Sequence, residues 1–279
     1  ERGLHEVALR HAHVFKNKEG EDKFAYKINL FYLQARDWEA TDYGPVDDSP
    51  VPADNPGGYD AVNVYGDEDL AGGNDFSGVD NLRSYPGLGV YYRSGYKEKD
   101  LVDYNSKNLK AGLALHYKIK PDVEAIFATN FGTGTTVYQG ENRFSLKNIL
   151  FFQNRLEFKK KDKWFFRMYA TNEDAGDSYD VVLTAFKMLN SRRPLENYYT
   201  DYSNYWDANI TQRVKDLEGY PQFVFGEPID SVGIWNVLAE NHDSLMVWHQ
   251  ETANVVDTTT SLQGLAYAQP GTQEFRDLL

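Results

Sequence analysis

Between residues 23 and 35 apolar and polar positions alternate: Phe24, Tyr26, Ile28, Leu30 and Tyr32 share one parity, and Lys27 and Asn29 stand on the other. A period of two marks a strand whose two faces meet different surroundings. Residues 107–119 repeat it, with Leu109, Ala111, Leu113, Leu115, Tyr117 and Ile119 set against Lys110, Gly112, His116 and Lys118. In residues 149–159, Leu150, Phe152, Leu156 and Phe158, interrupted by Asn154, oppose Gln153, Arg155 and Glu157. Residues 164–171 place Arg167 among aromatics. With residues 3–16 and 123–133, the pattern predicts six strands. Lys-rich turns at 17–22, 120–122 and 160–163 join them in pairs, while wide polar stretches at 36–106, 134–148 and beyond 171 separate the pairs.

Tight turns therefore fall on one rim and long loops on the other, which is how an outer-membrane β-barrel is built. Each segment has about the 9–11 residues that a tilted strand needs to cross a bilayer. The apolar rows end in Tyr, Trp and Phe, as interfacial girdles do. The expected fold class is all-β: a partial transmembrane antiparallel β-barrel with long, partly helical extracellular loops. Half-buried strands of a soluble sandwich would alternate in the same way. Six strands do not close a barrel with a lumen, since the smallest use about eight, so the chain is expected to be a portion of a larger protein or its ordered part.

The stretch 45–78 is dense in Pro, Gly, Asp and Asn and reads as turns. After Asp177 the period becomes helical. Helices are expected over 178–189, ended by Pro194, and over 205–217, with Gly219 and Pro221 after it. A further amphipathic run starts at Ser231, carries Ile234, Trp235, Val237, Leu238, Leu245, Val247 and Trp248, and breaks near 241–243. This divides the chain into strand hairpins over 1–171, with an acidic extracellular loop at 36–106, and a helix-containing extracellular region over 172–279.

Charge sharpens the picture. Residues 36–104 hold fifteen acidic side chains against five basic ones, a surplus of ten in a chain of net charge −13. Such a surface argues against a nucleic-acid partner, whose phosphates demand Lys and Arg. A mean hydropathy of −0.61 and the lack of any run of about 20 apolar residues exclude a helical membrane protein, but a barrel escapes that test. Without cysteine there is no disulfide framework and no thiolate site. Glu1 opens the chain without a basic start or an apolar stretch, so a signal peptide is expected to have been removed or to lie outside it.

The stretches GYKEKDLVDYNSKNLKAGLALHYKI from Gly95, FGTGTTVYQGENRFSLKNILFFQNRLEF from Phe131 and FRMYATNEDAGDSYD from Phe166 resemble the early barrel of TonB-dependent outer-membrane receptors. The likeness is to the large glycan- and peptide-importing, SusC-like type. GLHEVALRHAHVF and KFAYKINLFYLQARDWEATDY look like the hairpin just after the plug domain of that family, and YWDANI, DSLMVWH and QPGTQEFRDLL look like a helical loop before further strands. A TonB box, a plug and later strands are missing from the chain. The resemblance implies a receptor of about 22 strands in the outer membrane of a Gram-negative bacterium, binding an oligosaccharide, peptide or metal chelate and importing it with energy from TonB, ExbB and ExbD acting through the plug. It implies contact with lipid and lipopolysaccharide, a surface lipoprotein as a further partner, and no covalent chemistry.

Among the residues themselves, Trp38, Tyr91, Tyr92, Tyr96 and Tyr138 sit where strands give way to loops and are the candidate ligand contacts, with an aromatic girdle as the competing reading. No cofactor is expected beyond structural calcium, for which Asp67, Asp69 and Asp75, with Glu68 and Asn74 beside them, and Asp177 and Asp180, with Glu173 and Asp174, offer oxygen ligands. A solvated acidic loop explains the first set as well, and Asp177 and Ser178 also suit a helix cap. His5, His11 and His13 share a strand face at a spacing that suits a metal, without an obvious further ligand. Two other function classes remain: an anchoring subunit of a cell-envelope complex, and a soluble β-rich glycan-active enzyme using a carboxylate pair.

Overall fold

The computed structural model describes residues 3–69, 72–140, 142–224 and 227–279; Glu1, Arg2, Leu70, Ala71, Glu141, Phe225 and Gly226 lie outside the described residues. The chain divides into two compact units, Glu1–Glu39 with Val102–Val181, and Ala40–Leu101 with Val182–Leu279. With strands numbered along the chain, the first unit holds β1 Leu4–Lys16, β2 Asp22–Arg36, β7 Asn105–Lys120, β8 Val123–Gln139, β9 Arg143–Lys160, β10 Trp164–Asp174 and the short β11 Tyr179–Asp180. The second holds the two-residue strands β3 Val64–Tyr65, β4 Asp75–Phe76, β5 Gly89–Val90 and β6 Tyr96–Lys97.

The six long strands of the first unit pair antiparallel in chain order, with β11 added to β9. The register carries the period of two straight across the sheet. One row runs Phe15, Phe24, Tyr117, Ala125, Phe158, Phe166, and another Leu9, Leu30, Ala111, Phe131, Phe152, Asn172. The other face carries rows such as Arg10, Asn29, Gly112, Asn130, Gln153, Thr171. It also holds ion pairs. Glu157 receives Arg167 Nε at 2.7 Å, and Glu124 meets Lys159 Nζ at 2.9 Å and His116 Nδ1 at 2.7 Å. Side chains on the apolar face, Leu9, Ile28, Leu30, Phe127, Phe152 and Phe166 among them, are exposed.

The second unit is built from helices: α1 Glu98–Leu101, α2 Val181–Arg192, α3 Leu195–Asn209, α4 Thr211–Lys215, α5 Ser231–Glu240, α6 His242–Thr258 and α7 Gln273–Leu278. Helix α3 follows Pro194 and buries Leu195, Tyr198, Tyr199, Tyr202 and Trp206, a helical stripe. Helix α5 is capped by the Asp230 carboxylate, which accepts Gly233 N–H at 2.9 Å, and α7 by Thr272, whose hydroxyl accepts Phe275 N–H at 3.1 Å. The core is aromatic: the Tyr91 ring stacks on Tyr202 at 4.3 Å and meets Tyr199 edge-on at 5.6 Å, and buried Trp206 donates Nε1–H to Pro86 O at 3.1 Å.

Three expectations are corrected. The fold is not an all-β barrel: it is mixed α/β, 27% helix and 39% strand, with an open seven-stranded antiparallel sheet and no closure among the described residues. Packed helices in the second unit make the difference, since their stripes bury one another and form a core of their own. The stretch 134–148 is no wide loop, because β8 and β9 continue through it, pairing Thr136 with Leu146 and Tyr138 with Phe144. Finally, the single helix expected over 205–217 is the end of α3, which starts at Leu195, followed after Ile210 by the short α4. No helix among the described residues is long and apolar enough to cross a membrane, which says nothing about strands.

Candidate ligand cavity

The surface of the second unit carries an open pocket of about 500 Å³. Its walls include Tyr43, Tyr59, Tyr92 and Tyr202, with Asp67, Arg93 and His249, and the exposed Met246 and Val247. The size suits a small organic ligand, and the mix of aromatic surface with a few polar groups is what such sites use.

Backbone geometry sets Asp67 in this wall. Gly66 before it adopts φ +88°, a conformation open to glycine, and any Cβ there would strike Leu189. Gly95 approaches from the other side, so closely that a Cβ would lie 3.1 Å from Asp67 Cβ and 2.8 Å from Tyr65 O. Asp67 ends only 3% exposed; its Oδ2 accepts Ala61 N–H at 3.2 Å, and its Oδ1 has no hydrogen-bond partner among the described residues. Burial, with repulsion from Glu68 and Asp60, raises its pKa to about 9, so the acid is neutral at pH 7. Asp60 and Glu68 are themselves raised, chiefly by burial.

Two other polar groups of the wall, His249 and Arg93, are committed. His249 on α6 engages the Tyr202 hydroxyl with Nδ1 at 2.8 Å and Gly87 O with Nε2 at 3.1 Å, and burial lowers its pKa to about 4. It is therefore a neutral imidazole that accepts from Tyr202 and donates to Gly87. Arg93 donates to Leu189 O at 2.8 Å and to Asn190 at 3.3 Å, and lies over the Tyr198 ring at 5.3 Å.

The sequence candidates separate. Tyr92 and Asp67 line the cavity. Tyr91 and Tyr96 are fully buried in packing roles, Tyr91 donating to Tyr199 O at 3.0 Å and Tyr96 to Ala268 O at 3.0 Å. Tyr138 and Trp38 are exposed in the first unit. The calcium sets do not assemble: among the described residues no group of three or more His, Asp or Glu is placed to hold a metal. Asp69 takes the Tyr199 hydroxyl at 3.0 Å and Asp75 the Ser77 hydroxyl at 2.6 Å, while Asp177 and Asp180 accept Asn148 at 2.9 Å and Asn142 at 2.8 Å. Ser178 accepts Lys147 N–H at 3.0 Å rather than capping a helix. His11 and His13 contact Tyr26 ring to ring, at 5.5 and 6.3 Å.

Tyr43, Tyr59, Arg93, Tyr202 and His249 were not among the sequence candidates. The signal for His249 was its place on the buried stripe of α6 with Leu245, Thr252 and Val256, a pattern that reads as core. In comparisons with protein-family models, characterised proteins and solved structures, nothing matches this chain.

Proposed function

We propose that this chain is part of an outer-membrane uptake receptor, in which the first unit's sheet lies with its apolar face against lipid and the second unit's cavity takes up a nutrient for import. The observation that carries the reading is the largely apolar face of six long strands, broken by His11, His13, Thr129, Asn154 and Asn172. Exposed Leu, Ile, Val and Phe on that scale are far more than a water-facing surface tolerates, and contiguous patches of more than a few hundred Å² mark membrane or protein contacts. Aromatic rows toward the turns and charged, ion-paired residues on the opposite face fit a sheet with one face against lipid and the other against water. The chemistry is binding and transport, driven through TonB and its inner-membrane partners. Fractionation tests the reading: the chain is expected with outer membranes and to need detergent for a monodisperse preparation. A monodisperse, detergent-free protein would sink it.

A further inference from the structure

We propose that two turns of the first unit, 118–124 and 159–163, together form a binding surface for the phosphate headgroups of anionic phospholipid. This rests on the membrane reading of the sheet and names the lipid class that its turn end takes.

The two turns are one structure. They close the hairpins β7–β8 and β9–β10, whose inner strands β8 and β9 pair with each other, and Lys161 N–H donates to Asp122 O at 2.9 Å. Six lysines and three acids lie in these twelve residues. Two of the acids are answered within the surface, Glu124 by Lys159 Nζ at 2.9 Å and Asp122 by Lys160 Nζ at 3.1 Å. Glu157, next to them on β9, takes Arg167 Nε at 2.7 Å. Lys118, Lys120, Lys161 and Lys163 are exposed and make no ion pair among the described residues, which leaves four cations against Asp162. In a chain of net charge −13, this local surplus is a place for negative charge.

Its position along the sheet decides which anion. The last aromatic row of the apolar face in this region runs Tyr117, Ala125, Phe158, Phe166. Two residues further, about 7 Å along the strands, Val123, Lys160 and the exposed Trp164 stand in one row on the same face. Cations therefore begin where the apolar face ends, with an indole beside them. Apolar strand, tryptophan and then lysine is the order in which a leaflet offers acyl chain, interface and phosphate. Lys23 shows that an ammonium reaches this level, since its Nζ lies 4.8 Å from the Tyr117 ring centre. At the far end of the strands the charge reverses: residues 36–39, 102–106, 139–148 and 172–180 hold eight acids against three bases. A soluble phosphate matches the lysines alone, whereas a phospholipid matches the lysines, the indole and the apolar strands.

The test is tryptophan quenching in the full chain, reconstituted in mixed vesicles of phosphatidylcholine and phosphatidylglycerol with one lipid or the other brominated in its acyl chains. The signal of Trp164 is taken as the difference from Trp164→Phe. Phosphatidylglycerol is expected to be preferred beside Trp164 by about threefold or more, and the preference to vanish in about 1 M salt, where the screening length is about 3 Å. It is also expected to vanish when Lys118, Lys120, Lys161 and Lys163 are all changed to glutamine, and to survive Lys16→Gln with Lys18→Gln in the neighbouring turn. Equal quenching by the two lipids, or a preference that persists in salt or in the fourfold variant, would overturn the proposal. Should the fourfold variant fail to assemble, the salt dependence of the wild-type chain decides alone. Equal quenching leaves the membrane reading standing; no quenching of Trp164 by either lipid would contradict that reading as well.

Discussion

Asp67 costs the fold stability, and the sign follows from where its proton sits. In the unfolded chain the carboxyl ionises near pH 3.9; in the folded chain it holds its proton to about pH 9. Between those values the folded state keeps a proton that the unfolded state has released, so this group's contribution falls as pH rises from about 4 to about 9. At pH 7 the loss is on the order of 4 kcal/mol. Asp67→Asn removes the titration while keeping the shape. The variant is expected to be more stable than wild type at pH 7, by a margin that widens from pH 5 to pH 9 in urea unfolding. A margin that is constant or shrinks would mean that Asp67 is ionised in the fold. The comparison must be made as a difference, because Asp257, raised by burial to about 6, and His249, lowered to about 4, titrate in the acid part of the range with opposite signs. That some acid of the 36–104 stretch matters was legible in its fifteen carboxyl groups. Which one goes inside was not, because Gly66, Gly95 and the packing of distant helices choose it.

At the scale of elements the sequence was clear where period and turn chemistry agreed. All six long strands include the segments where the alternation put them, the break at Pro194 falls between α2 and α3, and the break expected at 241–243 is the single residue Asn241 between α5 and α6. The misreading of 134–148 has a physical cause. Gly134, Gly140 and Asn148 punctuate it like a loop, yet Thr135, Thr136 and Val137 are β-branched, and cross-strand pairing absorbs the irregularity as a register shift after Gly134. Tyr91 and Tyr96 were misplaced for a related reason, since an aromatic at the end of a strand looks the same in sequence whether it meets solvent, lipid or a helix. The two faces of β2 make opposite demands on a charge. Ile28→Arg is expected to impair membrane assembly, since Arg at mid-bilayer on a lipid face costs about 2–4 kcal/mol, whereas Asn29→Arg, on the polar face, is expected to be tolerated. The share of each variant recovered in the membrane fraction reads both; equal effects would reverse or erase the faces.

For the molecule as a whole, the central claim is that the apolar face of the first unit meets lipid. The long alternating strands were legible, but no periodicity signals that residues 40–101 and 182–279, separated by eighty residues of sheet-forming chain, gather into one helical unit with its own core. Such long-range packing leaves no periodic trace. The chain has no cysteine, so nitroxide labels placed one at a time along β2 report without background. The decisive measurement is their collision rate in membranes with oxygen, which concentrates in lipid, against a water-soluble nickel chelate. Labels at Phe24, Tyr26, Ile28, Leu30 and Tyr32 are expected to favour oxygen, and labels at Ala25, Lys27 and Asn29 to favour nickel, alternating residue by residue. Nickel access at every position, or no alternation at all, would contradict the account.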